Sequence, residues 1–112
     1  MSKTTIYEGH PRFKELIEQE LELHNAKNKD YARGGNPLGN FYRVSAMLGV
    51  FGINLTPAQV GFVYMMKQVD AAGRMLGKGY EGDTEGLAGR LQDISIYAKL
   101  VTILKEEELD NG

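Results

Sequence analysis

The sequence predicts an all-α domain, four-helix bundle-like in architecture. Apolar residues recur at helical spacing in four separate stretches. Asn-Pro and Thr-Pro pairs stand where two of those stretches begin, and paired or clustered glycines stand where they end. No period-2 alternation bounded by hairpin turns occurs, so strands are not expected. No internal repeat or low-complexity linker divides the chain, so residues 1–112 read as a single helical domain. Residues 1–10 form an N-terminal arm and 109–112 a frayed tail.

Each element follows from local chemistry. Pro11 suits the first turn of a helix, and Phe13, Leu16, Ile17 and Leu21 then repeat at helical spacing, which predicts a first helix to about Lys27. Asp30 to Asn36 reads as a loop because Gly34-Gly35 breaks regular structure. Asn36-Pro37 is a cap and first-position pair for a second helix through Phe41, Val44, Leu48 and Phe51, closed by Gly52. Thr56-Pro57 repeats that logic for a third, to about Leu76, before Gly77-Lys78-Gly79-Tyr80. Asp83 or Thr84 is expected to cap a fourth, with Leu87, Leu91, Ile94, Ala98 and Val101 on one stripe and fraying near Glu108.

A helical domain of 112 residues has a limited core, so a homodimer or higher homo-oligomer is expected. The formal net charge of −2 argues against nucleic acid as partner, since that binding needs a basic surface to displace counterions. With no cysteine, disulfides, zinc knuckles and thiol nucleophiles drop out. Met1 to Thr5 lacks the apolar core of a signal peptide, and no apolar run approaches the ~20 residues of a membrane span. A cytoplasmic protein without membrane contact is therefore expected.

Polar residues on apolar helix faces carry the functional reading. On the first helix Glu15, Glu18 and Glu22 share the side opposite Phe13, Leu16 and Ile17 and read as a solvated stripe. Glu20, His24 and Lys27 project onto the apolar side, where an unpartnered charge would cost several kcal/mol. They must meet counter-charges, a metal or a ligand; an internal salt-bridge network or snorkelling is the plainer alternative. On the third helix Lys67, Asp70 and Arg74 share a face, either as a solvated ladder or as a metal-binding acid flanked by phosphate-binding cations. On the fourth, Asp93 lies in line with Tyr97, Leu100 and Leu104. A structural contact or a carboxylate of a hard-cation site would each explain it. The loop after the first helix adds Asp30, Tyr31, Asn36 and Asn40, of which Asp30 and Asn40 are the expected ligand contacts. With oxygen ligands prevailing, the expected metal is magnesium or manganese rather than zinc.

The string Lys27-Asn28-Lys29-Asp30-Tyr31, followed by Asn40-Phe41, resembles the opening of small phage and prophage proteins. Lys67 to Met75 and Asp93-Ile94-Ser95-Ile96-Tyr97-Ala98 look like two further helices of theirs. The similarity spans roughly residues 13–104, and those proteins are similar in layout to the MazG-like all-α nucleoside-triphosphate pyrophosphatases. The resemblance implies an oligomeric helical protein in the host cytoplasm that cleaves a (d)NTP to monophosphate and pyrophosphate. It also implies magnesium held by helix-borne carboxylates, which would neutralise the phosphates and activate a water. The superfamily's Glu-x-x-Glu appears here only as Glu15-x-x-Glu18 on the solvated face. Three residues before Asp93, where the superfamily has an acid, stands Arg90.

Glu20, Asp70 and Asp93 are accordingly the expected catalytic and metal-binding acids. His24, Lys27, Asp30, Asn40, Lys67, Arg74 and Tyr97 are the expected substrate contacts. Nucleotide binding, with or without pyrophosphohydrolysis, is the expected function. Two readings of other classes compete. A helix-turn-helix would span Leu48 to Val60, but it has no Lys or Arg before Lys67 to meet phosphates. A helical oligomeric adaptor would use Met47, Met65, Met66 and Met75 as its interface.

Overall fold

The computed structural model describes residues 6–82 and 85–111. Four helices follow in order: α1 Pro11–Ala32, α2 Gly39–Val50, α3 Pro57–Lys78 and α4 Leu87–Asn111. No strand occurs among the described residues.

The helix starts are set by side chains. His10 accepts from the backbone N–H of Arg12 and Pro11 opens α1. Thr56 and Gln59 make a reciprocal capping box at α3, each side chain bonding the other's backbone N–H, with Pro57 at the first position. Asn36 acts one turn before α2, not at its cap: its side chain accepts from Leu38 N–H and its carbonyl from Gly39, so the helix itself begins at Gly39. At α4 the expected caps Asp83 and Thr84 lie outside the described residues. Glu81 reaches forward to the N–H of Leu87 at 3.1 Å.

The ends differ more from expectation. α1 continues past Lys27 through Asp30, because Arg33 rather than a glycine takes the left-handed closing position (φ 45°). α3 runs through Gly77 to Lys78 and stops at Gly79 (φ 69°), whose N–H returns to Met75 O. Leu109, Asp110 and Asn111 are helical rather than frayed. The acidic end of α4 is held by the rest of the protein: Glu107 accepts from Tyr42 Oη at 2.6 Å, and Glu108 accepts from Ala58 N–H at 3.1 Å. The second contact puts a carboxylate on the first turn of α3, where unpaired N–H groups and the helix dipole favour negative charge.

The core lies between α2, α3 and α4, around Leu38, Phe41, Ala58, Val60 and Leu104. α3 and α4 pack most extensively, and Gly61 lets them approach. A Cβ at Gly61 would stand 3.0 Å from Val101 Cγ2 and 3.5 Å from Leu104 Cδ1. Phe41, Tyr64 and Tyr97, one from each of these helices, meet at tilted and edge-on ring contacts with centroids 5.9–6.4 Å apart. The stripe read on α4 from Leu87 to Val101 is not its buried line, since Leu91 and Ala98 are exposed. The line through Tyr97, Leu100 and Leu104 packs on the core instead. α4 has α3 on one side and α1 on another, so no single apolar stripe describes it.

The helices do not close into a bundle. α1 touches only α4 to any extent, and Glu20 is its one buried residue among the described side chains. Phe13, Leu16, Ile17 and Leu21 stay at least 45% exposed, so each forgoes on the order of 1 kcal/mol of burial. The radius of gyration is 16.6 Å, against about 13 Å for a compact domain of this length. The molecule is a slab of 48 × 47 × 25 Å, with α1 crossing α4 over a short patch.

Candidate functional site

Two polar contacts fix α1 on α4. Near the middle of α1, Glu20 is 8% exposed and takes both carboxylate oxygens to Lys99 Nζ, at 3.1 and 3.2 Å. Lys99 also donates to Ser95 Oγ at 2.8 Å, one turn back along α4. Two turns further along α1, Lys27 Nζ lies 3.4 Å from Asp93 Oδ1.

Asp93 is the centre of a longer polar chain. Its second oxygen accepts from Gln68 Nε2 of α3 at 3.2 Å, and Gln68 in turn accepts from Arg90 at 2.8 Å. Arg90 also approaches Glu85 at 3.6 Å. The chain Lys27–Asp93–Gln68–Arg90 thus ties α1 to α3 through α4. The Asp93 side chain is 13% exposed, whereas that of Lys27 is 45% exposed. The carboxylate is therefore largely sheltered while its ammonium partner reaches solvent. This geometry answers the desolvation cost that buried charges on α1 and α4 pose.

A cleft of about 90 Å³ opens beside this pair, between α1, the start of α2 and α4. His24, Lys27, Asn40, Asp93 and Tyr97 line it, with Phe41 at its back. Asn28 Nδ2 sits 3.0 Å from His24 Nε2, one turn along α1. Lys27 and Asn40 are exposed at the surface of the cleft, His24, Asp93 and Tyr97 are half-buried, and Phe41 is buried. Such a set can hold a planar polar ligand edge-on and meet an anionic group at the entrance.

Five of the residues singled out from the sequence therefore meet in one place. Glu20 lines two neighbouring grooves of about 240 and 460 Å³ that flank α1 where it crosses α4. His24 is shared with the smaller of these. Lys67, Asp70 and Arg74 are not brought to the cleft: all three are exposed on α3, and none lines a cleft with Asp93. Asp30 lies on the surface and pairs with Arg33 at 3.7 Å. Among the described residues no three His, Asp or Glu side chains gather as metal ligands. Glu20 and Asp93 each meet a lysine instead.

Sequence reasoning missed Lys99, Gln68, Arg90 and Asn28. Asn28 and Lys99 each follow a polar partner by four residues, His24 and Ser95, and that spacing was available as a signal. Gln68 and Arg90 had none, since their pairing depends on how α3 lies against α4.

Compared with known protein families, curated proteins and solved structures, the chain matches none. Among the described residues no helix is long and apolar enough to cross a membrane.

Proposed function

We infer that the chain binds a small ligand of the nucleotide class in the cleft between α1, α2 and α4. One observation carries the reading: a cation, an imidazole, an amide, a carboxylate and aromatic rings from three helices line a single opening. Lys27 spends one contact on Asp93 and is half exposed, so its remaining N–H donors are available to a phosphate oxygen. Asp93 and Asn40 offer an acceptor and an amide to a base edge or a ribose hydroxyl, and Phe41 and Tyr97 offer ring faces or edges. At about 90 Å³ the cleft suits one heterocycle, against the 300 Å³ or more of a pocket that encloses a whole ligand. The phosphates would then lie outside, along Lys27.

Calorimetric titration with each deoxynucleoside mono- and triphosphate tests the reading. Binding of at least one is expected, weakened roughly tenfold or more by Lys27→Ala and by Asp93→Asn. Glu22→Ala, on the solvated side of α1, should leave it unchanged. No binding of any nucleotide would overturn the proposal.

The MazG-like fold type and its magnesium-dependent pyrophosphohydrolysis form a second reading, favoured by acids on two adjoining helices, Glu20 and Asp93. A magnesium or manganese ion would bind by displacing Lys99 or Lys27 from those carboxylates. The lysine pairing supports the binding reading better, because it neutralises both acids without a metal. Release of pyrophosphate from a dNTP in the presence of either ion would decide for hydrolysis.

A further inference from the structure

Asp93 meets the cleft as an acceptor only, and the hydrogen bonds behind it enforce that. Arg90 carries donors alone, so its 2.8 Å contact falls on Gln68 Oε1. That turns the Gln68 amide N–H group toward Asp93, 3.2 Å from Oδ2. On the other oxygen stands the Lys27 ammonium, again a group that cannot accept, 3.4 Å from Oδ1. With a donor on each oxygen, the side chain sits there as a carboxylate and has no proton to give.

A carboxylate has about four lone-pair directions, two on each oxygen. Gln68 and Lys27 take one on each. Each oxygen therefore keeps a second direction, and Asp93 lines the cleft. Two neighbouring acceptors match two neighbouring N–H donors on one flat edge, the same match by which a carboxylate takes a planar fork of donors.

The bases differ in how they meet such a pair. On its Watson–Crick edge guanine carries N1–H directly beside its 2-amino group. Adenine sets an acceptor, N1, beside its amino group, cytosine sets N3 there, and thymine has one N–H between two carbonyls. Each of these offers the carboxylate one donor, with a lone pair or a C–H opposite the second oxygen. Guanine also has O6, an acceptor, next to N1–H. Asn40 lines the same cleft, and its side-chain amide has no partner among the described residues, so its N–H donors can meet that oxygen. All three groups belong to the six-membered ring of guanine. A cleft of about 90 Å³ then has to take in only that ring's edge, and the five-membered ring and the sugar stay outside.

We propose that the cleft selects guanine among the bases. Asp93 reads the N1–H and 2-amino pair, and Gln68 and Arg90 are positioning residues that hold Asp93 as an acceptor. This base preference rests on the nucleotide reading of the cleft and adds to it the identity of the base.

Calorimetric titration of the full chain with dGMP, dAMP, dCMP, dTMP and dIMP tests it, together with the monophosphate of diaminopurine deoxyriboside. dGMP should bind at least about tenfold more tightly than dAMP, dCMP or dTMP. dIMP keeps N1–H and O6 but lacks the 2-amino group, and should bind about tenfold more weakly than dGMP. The diaminopurine nucleotide has the amino group but an acceptor at N1, and should bind no better than dIMP. Gln68→Met keeps the length of the side chain and loses its donor. It should weaken dGMP about fivefold while leaving dAMP within about twofold of wild type, whereas a purely structural role would weaken both alike. Equal binding of all the bases, a preference for another base, or dIMP as tight as dGMP would overturn the guanine assignment and leave the cleft a nucleotide site. Equal losses of dGMP and dAMP in Gln68→Met would overturn the role given to Gln68. No binding of any nucleotide would overturn both the base preference and the nucleotide reading beneath it.

Discussion

Lys27 on α1 and Asp93 on α4, 66 positions apart in sequence, meet at 3.4 Å and form one wall of the polar cleft. The contact does two things. It neutralises a carboxylate that is mostly out of water, and it anchors the C-terminal half of a helix that has little other attachment.

Removing the acid should cost more than removing an exposed one. Asp93→Ala leaves Gln68 Nε2 and Lys27 Nζ without their acceptor, a loss expected at about 1–3 kcal/mol. Glu22→Ala, exposed and opposite the apolar side, should stay within about 0.5 kcal/mol of wild type. Urea unfolding of the two variants side by side measures the difference; equal midpoints would mean that Asp93 contributes no net stability.

The buried acid of α1 should govern how firmly that helix sits. Glu20→Ala removes both contacts to Lys99 while leaving α2, α3 and the core around Leu104 untouched. Amide exchange in residues 13–24 should then accelerate by about tenfold, equivalent to ~1.4 kcal/mol of local opening. Exchange in α3 should not change. Lys99 is largely solvated, so salt should produce part of the same effect in the wild-type protein. Uniform acceleration throughout the chain would show that α1 opens only with the whole fold.

The clamp at the end of α4 should fail in alkali. The Tyr42 hydroxyl donates to the Glu107 carboxylate, and this bond, with partial burial and the charges of Glu107 and Glu108, raises its pKa above the ordinary 10.0. The folded protein therefore holds that proton more tightly than the unfolded chain does. The resulting stability is present in full below pH 10, the unfolded value, and is lost as pH rises through the higher folded value. Tyr42→Phe should lower stability by roughly 1–2 kcal/mol at neutral pH. The gap between variant and wild type should then narrow above about pH 10. Unfolding free energies of both proteins across pH 7–11 check this; a gap that widens in alkali would contradict the sign.

How much of this was legible beforehand depended on whether the cause was local. The starts of α1 and α3 were readable because proline geometry and side-chain caps act within four residues. The place of Glu20 was readable in part: helical spacing put it among Phe13, Leu16 and Ile17, and it is buried there. Asp70, grouped with Lys67 and Arg74, allowed a solvated ladder or a metal-binding acid, and Asp93 a structural contact or a hard-cation ligand. Only the packing separates them, since α3 turns Asp70 outward while α4 turns Asp93 toward α1 and α3. The acidic run at residues 106–108 looked like a fraying end, yet Glu107 and Glu108 find donors more than 49 positions away.

The sequence by itself determined that the chain is helical, where three of its helices begin to within two residues, and which side of α1 carries misplaced charge. Hydrogen bonds that close within one turn, and the 3.6-residue period, act on neighbours and can be read from neighbours. The tertiary structure alone decided which charges meet and that α1 lies across α4 instead of closing a bundle. Those outcomes depend on how whole helices lie against one another, and no spacing within a single helix encodes its distance to the next.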